Sequence, residues 1–235
     1  MTERNYALPA EFARERSILR NVYIWMALGL ALTGMVALGV ASNKTLVRAL
    51  VSNQLLFWGL IVGELALVWF LSARLGKMSP GAATLGFAAY AALNGVTLSL
   101  IFLVYTGASI ASTFFVTGGA FAGLSLYALS TKRDLSGLRT FLVMGVWGIL
   151  IASLVNMFLN NSTFDAVISI VGVLVFSGLT AYDTQVIRRM AAEAGDPAEA
   201  DYIRLSILGA LKLYLDFINL FLFLLRFMGV RGRDD

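Results

Sequence analysis

The chain has 235 residues, 59% of them hydrophobic and 14% charged, with a formal net charge of +4 at neutral pH. One soluble core cannot hide that much apolar surface, and a mean hydropathy of +0.80 places the chain among integral membrane proteins. Cysteine and histidine are both absent, which excludes disulfides, thiolate metal sites and cysteine nucleophiles and leaves any proton sensing near neutrality to carboxylates.

The chain opens with a charged lead over residues 1–21, read as a cytoplasmic segment. Seven apolar runs follow at 22–42, 55–73, 81–104, 108–130, 141–159, 165–187 and 205–228. Each is long enough to cross about 30 Å of hydrocarbon, and each is expected to be a helix, because a backbone in lipid must satisfy its own hydrogen bonds. Residues 22–228 therefore form one seven-helix domain, and 229–235 a short tail. The first run is too long, and its charged lead too extended, for a cleavable signal peptide. Pro9, Pro80 and Pro197 fall outside every run. In the fourth, Gly119 and Gly123 make a GxxxG step, the spacing that lets helices pack closely.

Lys and Arg in short connections set orientation. One side receives twelve: Arg4, Arg14, Arg16, Arg20, Arg74, Lys77, Lys132, Arg133, Arg139, Arg188, Arg189 and Arg204. The other receives five: Lys44, Arg48, Arg226, Arg231 and Arg233. This places the N-terminus in the cytoplasm and the C-terminus outside.

Few charges lie well inside a span. They are Glu64 in the second, Asp183 in the sixth, and Lys212 and Asp216 in the seventh. Arg74 and Arg226 stand at helix ends, from which they can snorkel to the interface. In the seventh span, Lys212, Asp216, Asn219, Phe223 and Arg226 follow steps of three and four and so share a face. A polar stripe of that length cannot face lipid, so this helix points it into the bundle. Lys212 and Asp216 also have the spacing of an i,i+4 ion pair that would neutralise both. At about 1.5 Å per residue, Asp183 and Asp216 lie at matched depth, about 9–11 Å from the cytoplasmic face, with Arg74 at a similar level and Glu64 about 15 Å farther out. Asn94 and Asn156 read as hydrogen-bonding glue between helices.

Two carboxylates within reach of each other in a poorly solvated place share a proton and titrate as a unit. One use is a cation site or gate, with Asp183 and Asp216 as ligands supported by the Asn219 amide and the Thr180 and Thr184 hydroxyls. Another is proteolysis. Tyr182-Asp183 is similar to half of the presenilin-like aspartyl protease pattern, but LYLD at 213–216 stands where GxGD is required. A retinal protein is excluded, since Lys212 precedes Asp216 and the third span carries no acid.

GLTAYDTQVI (178–187), ALKLYLDFINLFLFLLR (210–226) and RSILRNVYIWMALGLALTG (16–34) closely resemble signature segments of the Bax-inhibitor family. The resemblance covers essentially the whole chain. It implies an all-α, seven-helix membrane fold with the seventh helix central and wrapped by the other six, and a pH-sensitive Ca²⁺ leak in which the sixth- and seventh-helix aspartates form a dyad. Asp183 and Asp216 match that dyad. Arg74 corresponds to a latch on the closed state and Glu64 to an acidic residue of the second helix. The expected partners are Ca²⁺, protons and the bilayer of a bacterial inner membrane, with no nucleic acid, no cofactor and no enzymatic reaction. Ca²⁺/H⁺ exchange and regulation of other membrane proteins without transport are the alternatives.

Overall fold

The structure, a computed structural model, describes the backbone of residues 7–194 and 199–232 and the side chains of 14–194 and 201–232. Arg4, Pro197, Arg233 and the final residues of the tail lie outside the described residues. Among the described residues nine α-helices succeed one another: α1 Ala7–Ala41, α2 Lys44–Ser52, α3 Gln54–Arg74, α4 Pro80–Leu98, α5 Ile101–Val104, α6 Gly107–Ser130, α7 Arg139–Leu159, α8 Ser162–Glu193 and α9 Glu199–Met228. No strand occurs among the described residues, and seven of the helical stretches are long and apolar enough to cross a membrane. These seven coincide with the runs read from the sequence.

The boundaries follow local chemistry. Ser79 caps α4, its hydroxyl accepting from the Ala82 amide at 3.3 Å, with Pro80 in the first turn where its missing N–H costs nothing. Thr106 caps α6 in the same way through Ser109. Three features depart from the sequence reading. First, α1 begins at Ala7 and α8 runs to Glu193, because a helix that leaves the bilayer need not stop there. Second, the third span is interrupted: α4 ends at Leu98 and α5 restarts at Ile101. Ser99 is responsible, its hydroxyl donating to the Val96 carbonyl at 2.6 Å and competing with the regular ladder. Third, a Cβ at Gly119 or Gly123 would meet nothing within 4 Å, so among the described residues this GxxxG step packs against no other helix.

The chain divides into two compact units. The first comprises residues up to 104 together with 189–214. Its centre is the fully buried Tyr214, edge-on to Phe87 and Tyr90 with ring centroids 5.7 and 5.9 Å away. The Tyr214 hydroxyl shares a 2.7 Å hydrogen bond with Thr33, which also donates within 2.8 Å of the Ala91 carbonyl. Gly29 permits this approach, because a Cβ there would stand 2.6 Å from the Phe87 ring.

The second unit comprises 105–188 and the chain from 215 onward. Phe217 of α9 stands edge-on to Phe114 and Phe121, and Phe223 stacks on Phe176 at 5.6 Å. Gly172 lies so close to the Phe223 ring that no side chain fits there. After α9 the chain folds back: the Thr106 amide donates to the Val230 carbonyl at 3.1 Å, and the Val230 amide to the Ser109 hydroxyl at 2.8 Å. The last span is the most deeply buried, 61% of its apolar window against 6–39% in the others. Large apolar side chains elsewhere, including Trp69, Phe115 and Trp147, point outward as a lipid-facing surface would require.

Candidate functional site

Asp183 and Asp216 both belong to the second unit, on α8 and α9. Both are buried, at 8% and 4% exposure. Thr180 and Thr184 flank Asp183 and are buried as well. The Thr180 hydroxyl donates to the Phe176 carbonyl at 2.8 Å, one turn back on its own helix. It is spent as a donor and keeps its lone pairs as acceptors. The Thr184 hydroxyl lies 3.4 Å from that of Ser125 on α6. Asn219 donates its amide to the Leu215 carbonyl at 2.8 Å, so its carbonyl oxygen is the end left to face a ligand. Tyr182 is half-buried.

The expected stripe on the last span holds up in outline. Lys212, Asn219, Phe223 and Arg226 are half-buried, Asp216 is buried, and none is exposed. Arg226, at the end of its helix, pairs with Asp165 at the start of α8, its Nε donating at 2.8 Å. Asn156 of α7 donates to the same carboxylate at 3.1 Å, and its own oxygen accepts from the Asn161 amide at 3.1 Å. This interhelical tie is the structural role foreseen for Asn156. Asp165 was not singled out in the sequence because it sits on the margin of its run; the polar Asn160, Asn161 and Ser162 just before it were the available signal.

Gln185 was missed as well. It is buried two residues from Asp183, accepts from the Leu135 amide at 2.8 Å and donates to the Arg133 carbonyl at 2.9 Å. Arg188 donates to the Leu129 carbonyl at 2.7 Å. Together they fasten the connection after the fourth span to the C-terminal part of α8. An amide within the run YDTQV was the clue.

In the first unit, Glu64 is half-buried on α3 and accepts a hydrogen bond from the Thr97 hydroxyl of α4. Asn94 is buried one turn before Thr97. Arg74 is exposed at the last turn of α3 and makes no side-chain hydrogen bond or ion pair among the described residues. Lys212 also falls in this unit. Among the described residues there is no group of three or more acidic side chains able to hold a metal, so a cation here would meet few carboxylates and depend on hydroxyl and carbonyl oxygens for the rest of its shell.

The sequence can be set beside known proteins. The family model described as "Inhibitor of apoptosis-promoting Bax1" matches residues 15–233. The inner membrane protein YbhL of Escherichia coli K12 is 49% identical over 216 residues, covering 92% of both chains. A protein of Borreliella burgdorferi is 44% identical over 224 residues, covering 95% of this chain and 96% of its own. Protein RP147 of Rickettsia prowazekii is 42% identical over 218 residues, covering 92% and 90%. With seven membrane-length helices, the two aspartate segments buried among them and a match across nearly its whole length, the chain belongs to the Bax-inhibitor family of membrane proteins.

Proposed function

We propose that this protein is a pH-sensitive Ca²⁺ leak channel of a bacterial inner membrane, with its N-terminus cytoplasmic, gated by protonation of Asp183 and Asp216. One observation carries the reading: both motif carboxylates are buried within the same unit, on the last two spans. Ionised carboxylates are costly inside a membrane and by default mark ion or proton pathways. Ca²⁺ is a hard cation that takes oxygen ligands, here the two carboxylates with the Asn219 carbonyl and the Thr180 and Thr184 hydroxyls. A proton taken up by either carboxylate removes a charge, weakening both cation attraction and the electrostatic relation between α8 and α9. Arg74 serves as the latch of the closed state, and Glu64 with Thr97 as a second polar station.

The relatives' printed names fit this location, since the Escherichia coli protein is called an inner membrane protein. Purified protein in liposomes supplies the test. Ca²⁺ should move down its gradient at a rate that changes with pH, and Asp183→Asn or Asp216→Asn should flatten that response. Retention of the wild-type response by both variants moves the gate elsewhere. Absence of flux from the protein alone favours a regulator, and uphill Ca²⁺ movement driven by a proton gradient favours an exchanger.

A further inference from the structure

Between the first and second spans lies the nine-residue helix α2, which the hydropathy of the chain does not announce. Asn43 caps it, its side chain accepting from the Thr45 and Leu46 amides at 3.0 and 3.2 Å, and Asn53 both ends it and caps α3. A helix capped at both ends inside a connection is a built element. It is also two-faced. Leu46, Val47, Leu50 and Val51 occupy one side of the helical wheel, Lys44, Arg48 and Ser52 the other. Leu50 is buried against the fold, whereas Leu46 and Val51 remain exposed. A short helix with exposed apolar residues and a basic face, placed where two spans leave the bilayer, has the form of an interfacial helix.

Two properties narrow its partner. Lys44 and Arg48 stand one turn apart, about 5–6 Å between Cβ atoms. Both are exposed, and neither side chain makes a hydrogen bond or ion pair among the described residues. No acidic residue occurs anywhere from Arg16 to Gly63, so the stretch of chain on either side of α2 carries positive charge alone. Beside the two cations runs a groove of about 440 Å³, walled by Ala41, Val47, Val51 and Leu103 and rimmed by Lys44 and Arg48. The size is that of a small-ligand cleft. Its floor is apolar and its rim cationic.

We propose that this groove binds an anionic glycerophospholipid, with the headgroup phosphate held between Lys44 and Arg48 and an acyl chain laid along Val47, Val51 and Leu103. The guanidinium grips phosphate oxygens in bidentate fashion and the ammonium acts as a point charge. The apolar floor accepts what a free phosphate does not possess. This site is independent of the carboxylate gate, since it lies at another place in the chain and needs no ion flux.

The experiment uses the full-length protein, purified in detergent and delipidated, with phosphatidylglycerol as the probe. Lipid adducts are counted by native mass spectrometry and thermal unfolding is followed on titration. The wild type should retain phosphatidylglycerol over phosphatidylcholine and be stabilised by it. Lys44→Gln with Arg48→Gln should lower apparent affinity by about fivefold per cation and abolish the preference. Both side chains are exposed and make no bond, so the fold is unaffected. Leu103→Trp, which fills the groove and spares both cations, should also displace the lipid. An unchanged preference in the double variant overturns the proposal. Equal stabilisation by inorganic phosphate makes this a free-anion site and overturns it too, and an unaffected Leu103→Trp protein reduces it to unspecific surface charge.

Discussion

The sixth span carries an acid in each half of its length, and with their partners on the seventh the two halves are built differently. At the start of α8, Asp165 is bound to the Arg226 guanidinium and the Asn156 amide, with the two ion-paired side chains 25% and 30% exposed. Farther along the same helices, Asp183 and Asp216 are 8% and 4% exposed. A carboxylate tied to a permanently charged guanidinium has its charge answered at every physiological pH, so its role is to hold helices together. Asp183 and Asp216 are sunk more deeply, where gaining or losing a proton changes the charge in a poorly solvated place. One half is a fastening and the other is the half proposed to switch.

The largest effect expected from breaking this comparison lies in the fastening. Arg226→Ala leaves Asp165 with Asn156 alone. Breaking a fully buried pair costs about 3–5 kcal/mol, and partial exposure lowers that to roughly 2 kcal/mol here. Denaturant unfolding in detergent measures it. Asp165→Asn combined with Arg226→Gln should recover much of the loss, because neither partner is then left as an uncompensated charge. Asp183→Asn and Asp216→Asn should each cost less than Arg226→Ala, since an amide has the shape and neutrality of a protonated carboxyl. If the Asn variants prove the more destabilising, those two aspartates are also fastenings and the contrast fails.

Between the two halves, Gly172 admits the Phe223 ring. Gly172→Ala overpacks a contact that cannot open without moving α9, at an expected cost of about 1–3 kcal/mol. The matching control is Gly123→Ala, where a Cβ meets nothing in the chain and the change should stay within about 0.5 kcal/mol. Thermal unfolding of the two proteins side by side sharpens the point: equal loss at both positions would mean that Gly123 packs against something outside this chain.

The parts legible in the sequence share a physical cause. Seven spans were readable because crossing a bilayer demands a minimum apolar length, and the inward stripe of the last span was readable because Asp216 and Asn219 have nowhere else to go. Hydropathy reports residence in lipid, however, and helices ignore that boundary; hence α1 starts at Ala7 and α8 continues to Glu193. It also overlooks a helix too short to span, so α2 left only its Asn43 cap as a trace. The GxxxG step misled because spacing describes what a helix surface permits, not what reaches it. Within the helices the tight glycine contacts lie at Gly29, Gly86, Gly95, Gly145, Gly172 and Gly178, where a side chain or the backbone of another helix fills the gap. Asp165 and Gln185 were overlooked because their partners are Arg226 at the far end of the chain and the backbone of a loop, neither of which leaves a periodic signal.

The smallest effect on stability belongs to Arg74, and its value lies in separating stability from gating. Exposed at the end of α3 without a side-chain bond, it can be changed to Gln within about 0.5 kcal/mol. An interfacial anchor would show nothing further, because glutamine still reaches the headgroup region. A latch is different. If Arg74 is a latch, loss of its guanidinium removes a restraint on the closed state, so Ca²⁺ efflux from liposomes at the less permissive pH should rise severalfold while unfolding is unchanged. Arg74→Lys keeps the charge but not the planar fork, and should fall between the two. If Arg74→Gln leaves both unfolding and efflux at wild-type values, the guanidinium anchors a helix end, and the switching half of the molecule must close by the aspartates alone.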